Sequence, residues 1–280
     1  MRGKNSGTHT GFVDAHVHIQ GSAGLRDGIA AGVVAFRDAG TKQGTGLGLD
    51  RRGGQEHAPA VLSSGWGLYK KGGYGSLFGV SVSTRGEMEK EILALKRAGA
   101  GIIKATASGM VSLNNPGRIT PGGFNRDELT FIVREATRHG LGVMAHANGE
   151  TAILACVEAG VRSIEHGFFM TERALGLLAN KKIFWVPTVG ALKRAAETGE
   201  VSRAAHEFVA GLIRSHLEMI GQAHELGVPL AVGTDCVLPD PGYQKAYEAE
   251  LQYFEQAGLS RDEVLKVACV DGARLLGINT

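Results

Sequence analysis

The chain has 280 residues, 43% hydrophobic and 21% charged, and its 30 Lys plus Arg against 28 Asp plus Glu leave a net charge of +2. That balance excludes the basic stripe a nucleic-acid binder needs, no stretch of about 18 apolar residues offers a membrane span, and three scattered cysteines make neither a disulfide framework nor a cysteine zinc knot. Glycine is abundant, 42 residues, yet it falls singly or in pairs beside apolar runs with only 7 prolines, which excludes collagen-like and disordered chains and points to many tight turns.

In chain order, the opening MRGKNSGTHTG is polar and carries no apolar segment of a secretion signal, so a soluble, cytoplasmic protein is expected. Eight short apolar runs of strand length follow, over residues 11–18, 33–37, 60–64, 101–106, 142–147, 163–166, 184–188 and 229–234. Longer amphipathic stretches alternate with them, a pattern of repeated βα units with buried parallel strands. Residues 85–98 predict a helix with Met88, Ile92, Leu95 and Lys96 on one face and Gly99 as its stop. Residues 125–139 predict a second, opening on an Asn cap and ending at Gly140. The phrases KRAGAGIIK, TRHGLGVMA and HELGVPLAV each pass from a basic or polar last turn through glycine into a strand, with the glycine expected as a left-handed cap.

Two long connections break the spacing, residues 40–59 and the glycine-rich, aromatic-bearing residues 65–79; both are expected as loops at the C-terminal ends of strands. Residues 243–257 and 261–276 read as two closing helices. Eight parallel strands with right-handed crossovers close most naturally into an α/β fold, the (β/α)8 TIM barrel, as a single domain over residues 1–280. An open doubly wound sheet is the second choice, weakened because no GxGxxG follows the first strand.

Chemistry-bearing residues gather at predicted strand ends. The first strand ends in Asp14-Ala15-His16-Val17-His18, and period-2 alternation puts both histidines on one side, aimed into the barrel mouth. The fifth strand ends at His146, the sixth at His166 and the eighth at Asp235. The other histidines sit elsewhere: His139 and His224 in last helical turns, His206 and His216 in an amphipathic helix, and His9 and His57 in loops. Imidazole and carboxylate suit zinc, with iron, manganese, nickel or cobalt as substitutes. Lys104 ends a buried strand, where an ammonium is costly without a partner. Either a neighbouring carboxylate pairs with it, or it reacts with carbon dioxide and becomes an anionic carbamate able to bridge two metals.

The ordered set FVDAHVH (12–18), GIIKATASG (101–109), VMAHANG (143–149), SIEHG (163–167) and VGTDC (232–236) resembles the amidohydrolase superfamily. The tail AGLSRDEVLKVACVDGARLLGI (257–278) is similar to that of the branch holding prolidase-like dipeptidases and imidazolonepropionase-like proteins. The resemblance implies two divalent ions, zinc in the first place. His16, His18 and Asp235 would hold the more buried one and His146 and His166 the more exposed one, with Lys104 as N6-carboxylysine bridging them beside a hydroxide. It also implies that Asp235 takes the hydroxide proton and returns it to the leaving nitrogen. Most relatives of this branch carry a small β-sandwich on flanking strands; neither flank is read in this sequence, so the expectation is a barrel-only member or, as the second choice, a chain lacking its flanking segments.

The expected activity is metal-dependent hydrolysis of an amide or cyclic amide C–N bond, in a dipeptide, an N-acyl amino acid or a lactam-like ring. An ester, lactone or phosphotriester hydrolase on the same centre is the alternative, and a catalytically idle metal-binding barrel the third reading. The expected partner is a small-molecule substrate, with no nucleic acid and no membrane, and with a homo-oligomer compatible. Candidate substrate contacts are Trp66, Tyr69, Lys70 and Arg118, joined by Lys71, Tyr74, Lys193 and Arg194; a loop cation would hold a substrate carboxylate. Asn114, Asn115 and the Gly122-Gly123 pair suggest a lid.

Overall fold

The computed structural model describes residues 11–50, 59–198 and 201–278. His9 and His57 lie outside the described residues, as does part of the connection expected over 40–59. The strands are β1 Phe12–Ile19, β2 Val33–Asp38, β3 Ala60–Ser63, β4 Gly67–Lys70, β5 Gly79–Val82, β6 Ile102–Thr106, β7 Gly142–Ala147, β8 Ser163–His166, β9 Phe184–Val186 and β10 Cys236–Leu238. The helices are α1 Gly24–Ala30, α2 Leu47–Asp50, α3 Arg85–Ala98, α4 Arg126–Arg138, α5 Glu150–Ala159, α6 Glu172–Lys181, α7 Val189–Thr198, α8 Arg203–Glu225, α9 Tyr243–Gln256, α10 Arg261–Lys266 and α11 Gly272–Leu276.

Every strand pair is parallel, with neighbours in the orders β10-β1-β2-β3 and β5-β4-β6-β7-β8-β9. Two seams join them. Gly101 N–H donates to the Ser63 carbonyl at 3.0 Å, carrying the order from β3 to β6. Residues 229–235 run between β9 and β1: Trp185 N–H donates to Pro229 O at 2.9 Å, Ala15 N–H to Val232 O at 2.8 Å, and Asp235 N–H to His16 O at 2.7 Å. The fold is therefore the eight-stranded (β/α)8 barrel. Its eighth staves are less regular than the run 229–234 predicts. Regular pairing there is a single bridge, Trp185 with Leu230, because the segment reaches its two neighbours through alternate residues and ends in the left-handed turn at Asp235.

The segment 65–79, expected as a loop, holds β4 and leads into β5, which pair in parallel and add to the barrel at β6 through Leu68 opposite Ala105. The closing helix expected over 261–276 is interrupted by a π segment, Val267–Asp271, where Gly272 packs against Val13 of β1. Elsewhere sequence and structure agree closely. α3 buries Met88, Ile92 and Leu95 while Lys96 stays exposed; Thr84 and Glu87 form a capping box at its start, and Gly99 ends it at φ 97°. Asn125 and Glu128 cap α4 in the same way. The main core lies between the strands and this helical ring. No helix among the described residues is long and apolar enough to cross a membrane.

Candidate metal centre

The alternation of β1 brings His16 and His18 to one side, and the partners of each ring fix which nitrogen faces the mouth. His16 Nδ1 lies 2.7 Å from Glu165 Oε2, an oxygen that only accepts, so Nδ1 carries the hydrogen. His18 Nδ1 lies 2.5 Å from the Gly40 carbonyl, with the same result. In the neutral rings both Nε2 atoms therefore present lone pairs, and both sit 3.3 Å from Asp235 Oδ1. One atom from each of the three residues falls within 4.8 Å of the others.

Burial pulls His16 down to about 4, helped by the Lys104 charge and opposed by Asp235 and Glu165. Burial alone would raise Asp235, but the imidazoles of His16, His18 and His166 outweigh it and hold the carboxyl well below its ordinary range. A hydrogen on His18 Nε2 would be donated to Asp235; where neither Nε2 carries one, the two rings and the ionised carboxylate turn electron pairs toward one another. That arrangement is repulsive alone and favourable around a cation, so the donor set fits a divalent ion.

Glu165 is the group behind this geometry. It is fully buried on β8, accepts from Arg37 Nη2 at 2.9 Å on both oxygens, and accepts from Ser163 Oγ at 2.5 Å. Burial would raise its carboxyl, but Arg37 and His16 hold it down at about 2. Such a carboxylate behind a ligating imidazole fixes the tautomer and raises the basicity of the far nitrogen.

The other three residues predicted from strand ends converge on the same place. His16 and His166 ring centroids are 5.0 Å apart, and His146 and His166 are 4.5 Å apart. His146 Nε2 lies 3.0 Å from the Gly109 carbonyl, and His166 Nδ1 lies 2.7 Å from Thr188 Oγ1. Burial lowers His146 to about 3 and holds His166 well below its ordinary value, so both rings are neutral ligand types. Lys104 is 1% exposed, and its Nζ is 3.2 Å from His16 Nε2. Among the described residues it enters no ion pair, so the neighbouring carboxylate offered as one explanation for it is not in contact. Burial lowers its ammonium to about 8, against the opposing charges of Glu165 and Asp235.

His166, Thr188 and Asp235 hold left-handed backbone, at φ 65°, 46° and 54°, at the ends of three successive staves. Non-glycine residues there cost on the order of 1–3 kcal/mol each and cluster at functional sites. A cavity of about 510 Å³ opens over this ring, lined by His146, His166, Asp235, Asn148 and Tyr74 on its polar side. Tyr74 packs 4.9 Å from the His146 ring; burial, with the Asp235 charge adding, pushes its phenol upward, so it is a neutral donor.

Of the predicted substrate contacts, only Tyr74 lines that cavity. Trp66 donates to Glu91 of α3, and Lys70 pairs with Glu128 at 2.9 Å. Tyr69 stands on β4 beside it, half-buried, while Lys71 and Arg118 are exposed. Lys193 and Arg194 stand on α7 rather than in a loop: Lys193 is 3.9 Å from Glu197, and Arg194 Nη2 donates to the Thr234 carbonyl at 2.5 Å. Asn114 and Asn115 lie on a hairpin closed by the bridge between Val111 and Ile119. Sequence reading missed Glu165, Arg37, Thr188 and Asn148. The signal for the first two was present: a charged residue inside a short apolar run, the sign that had singled out Lys104.

The model of the amidohydrolase family matches residues 10–280. The chain is 31% identical to ochratoxinase of Aspergillus niger over 195 residues, 68% of this chain, and the match spans 39% of that protein's length. A solved Xaa-Pro dipeptidase with bound methionine shares the fold, with a TM-score of 0.79 and 22% identity over 96% of this chain and 75% of that one. A prolidase complexed with N-methylphosphonate-L-proline gives a TM-score of 0.76 at 25% identity, covering 96% of this chain and 74% of that one.

Proposed function

The chain belongs to the amidohydrolase family, a family of enzymes, and on that premise we propose that it hydrolyses an amide or cyclic amide C–N bond in a metal-dependent reaction. The observation that carries the proposal is the convergence of His16 Nε2, His18 Nε2 and Asp235 Oδ1, three electron-pair donors placed close enough together to hold one divalent cation. His16, His18 and Asp235 would hold one divalent ion and His146 and His166 a second, with Lys104 between them as N6-carboxylysine. Bound there, zinc ions would acidify a water and polarise the scissile carbonyl at neutral pH.

The protein's own groups do the rest. Asp235, ionised at neutral pH, accepts the proton of the attacking water and returns it to the leaving nitrogen. Tyr74, neutral and facing the cavity, donates its hydroxyl hydrogen to the carbonyl oxygen as charge develops there. Glu165 and Arg37 keep His16 in the tautomer that turns Nε2 to the mouth. The lowered ammonium of Lys104 leaves a fraction of free amine near neutrality. The ammonium gives up one proton to become that amine, which forms an N–C bond to carbon dioxide and releases a second proton, so that a buried cation becomes an anion.

A panel of amides, lactams and matched esters, assayed with added zinc and again after chelation, tests the reading. Hydrolysis of amides that chelation abolishes and zinc restores is the expected result. Activity confined to esters or phosphotriesters, or unchanged by chelation, overturns it.

A further inference from the structure

Beyond the polar ring, the cavity is lined mostly by apolar side chains, with Ser112, Asn114 and Thr120 among them. Val111 and Leu113 come from the segment after β6, Phe168 from the turn after β8, Leu192 from α7 and Val201 from just before α8. These five belong to an apolar cluster separate from the main barrel core, with Val111, Phe168 and Leu192 buried in it. A cluster that only held loops down would have no reason to line the cavity over the catalytic ring. Five of the eleven residues in this one do so.

The wall is held firmly against the site. The segment after β6 is a hairpin, with Ser112 N–H donating to Arg118 O and Thr120 N–H to Met110 O, both at 2.8 Å. Asn148 ties it to the other side: its Nδ2 donates to the Gly109 carbonyl at 3.3 Å and its Oδ1 accepts from Phe168 N–H at 3.0 Å. Gly109 is the same carbonyl that His146 contacts. Among the described residues no Lys or Arg lines the cavity, and Lys70, Lys193 and Arg194 are engaged by Glu128, Glu197 and the Thr234 carbonyl.

Resting on the hydrolase reading, and deepening it, we infer that one substituent of the scissile bond is a bulky, uncharged apolar group, a branched alkyl or an aryl, seated against Val111, Leu113, Phe168, Leu192 and Val201. A substituent ending in a carboxylate is disfavoured there, since this part of the cavity offers it only the neutral groups of Ser112, Asn114 and Thr120 and, among the described residues, no Lys or Arg. This favours uncharged acyl or aryl amides and lactams over dipeptides and N-acyl amino acids whose carboxylate would fall at this wall.

The test is calorimetric titration of the zinc-loaded protein with matched amides that vary on one side of the bond at a time. N-benzylacetamide is compared with N-methylacetamide, and 4-phenylbutanamide with acetamide and with glutaramic acid, in which a carboxylate stands near the position of the ring. Burial of a phenyl ring predicts binding at least about tenfold tighter than the methyl analogue on one of the two sides. The carboxylate analogue is predicted to bind no more tightly than acetamide. Leu192→Asp, and independently Leu113→Asp on the hairpin, should reduce the aryl preference to about threefold or less. Equal affinities across both series, or tighter binding of the carboxylate, overturn the inference. An aryl preference that survives both variants overturns it as well. If the preference is found while no amide is cleaved, the hydrolase reading falls and the assignment of the wall stands.

Discussion

Replacing Glu165 with glutamine removes one charge and almost no volume, so its cost measures what that carboxylate does. Arg37 is fully buried and would keep its hydrogen bonds to Ala15 O (2.6 Å) and Ser163 Oγ (2.7 Å), but its countercharge would be gone. Breaking a buried pair by removing one partner costs about 3–5 kcal/mol. The two surviving bonds place Glu165→Gln near the lower end, about 3 kcal/mol, or a fall in Tm of roughly 6–12 °C at 2–4 °C per kcal/mol. His16 Nδ1–H keeps an acceptor, but a neutral one, so its Nε2 becomes less basic and metal affinity should fall about 10- to 100-fold.

Urea unfolding of the metal-stripped proteins gives the first number and competition with a chromophoric chelator the second. The pH dependence supplies a sign. Glu165 is held below its unfolded value of about 4.5, so its stabilisation is complete above that value and is lost as pH falls toward about 2. The gap between wild type and variant should therefore narrow as pH is lowered from 5. An unchanged urea midpoint with unchanged metal affinity, or a gap that widens in acid, refutes the reasoning.

Three further substitutions address single roles. Lys104→Ala should lose most bound metal and activity, with partial rescue by acetate or propionate in metal-content and rate assays; full metal retention contradicts a bridging carbamate. Asp235→Asn should lower kcat by about 10²–10⁴-fold while leaving far-ultraviolet circular dichroism unchanged; full turnover removes the proton-transfer role. Tyr74→Phe should lower kcat by about 10²-fold with little change in metal content or KM. A change in KM alone would make Tyr74 a binding contact instead.

The barrel was legible because its local signals agree with one another. Thr84 with Glu87 and Asn125 with Glu128 mark helix starts, Gly99 and Gly140 mark stops, and the apolar runs between have strand length. The strand-end ligands were legible for the same reason, since a polar residue closing an apolar run in a parallel barrel has one destination. What escaped was non-local. β4 and β5 are four residues each within glycine-rich sequence, and their pairing is decided by the approach of Gly79 to Gly67 and by the edge that β6 offers, neither of which periodicity reveals. Loop cations were equally ambiguous in the sequence. Lys70 finds Glu128 and Arg194 finds the Thr234 carbonyl through tertiary packing, and no spacing along the chain distinguishes such a cation from one that meets substrate. Glu165 and Arg37 pair from strands on opposite parts of the sequence, so each alone looked like an interruption of an apolar run.

The central claim is that the convergent histidines, Asp235 and Lys104 form a binuclear metal site. Elemental analysis of the purified protein, normalised to chain concentration, tests it most directly. The account predicts close to two divalent ions per chain; one ion or none, in a preparation that cleaves amides at its full rate, would contradict it.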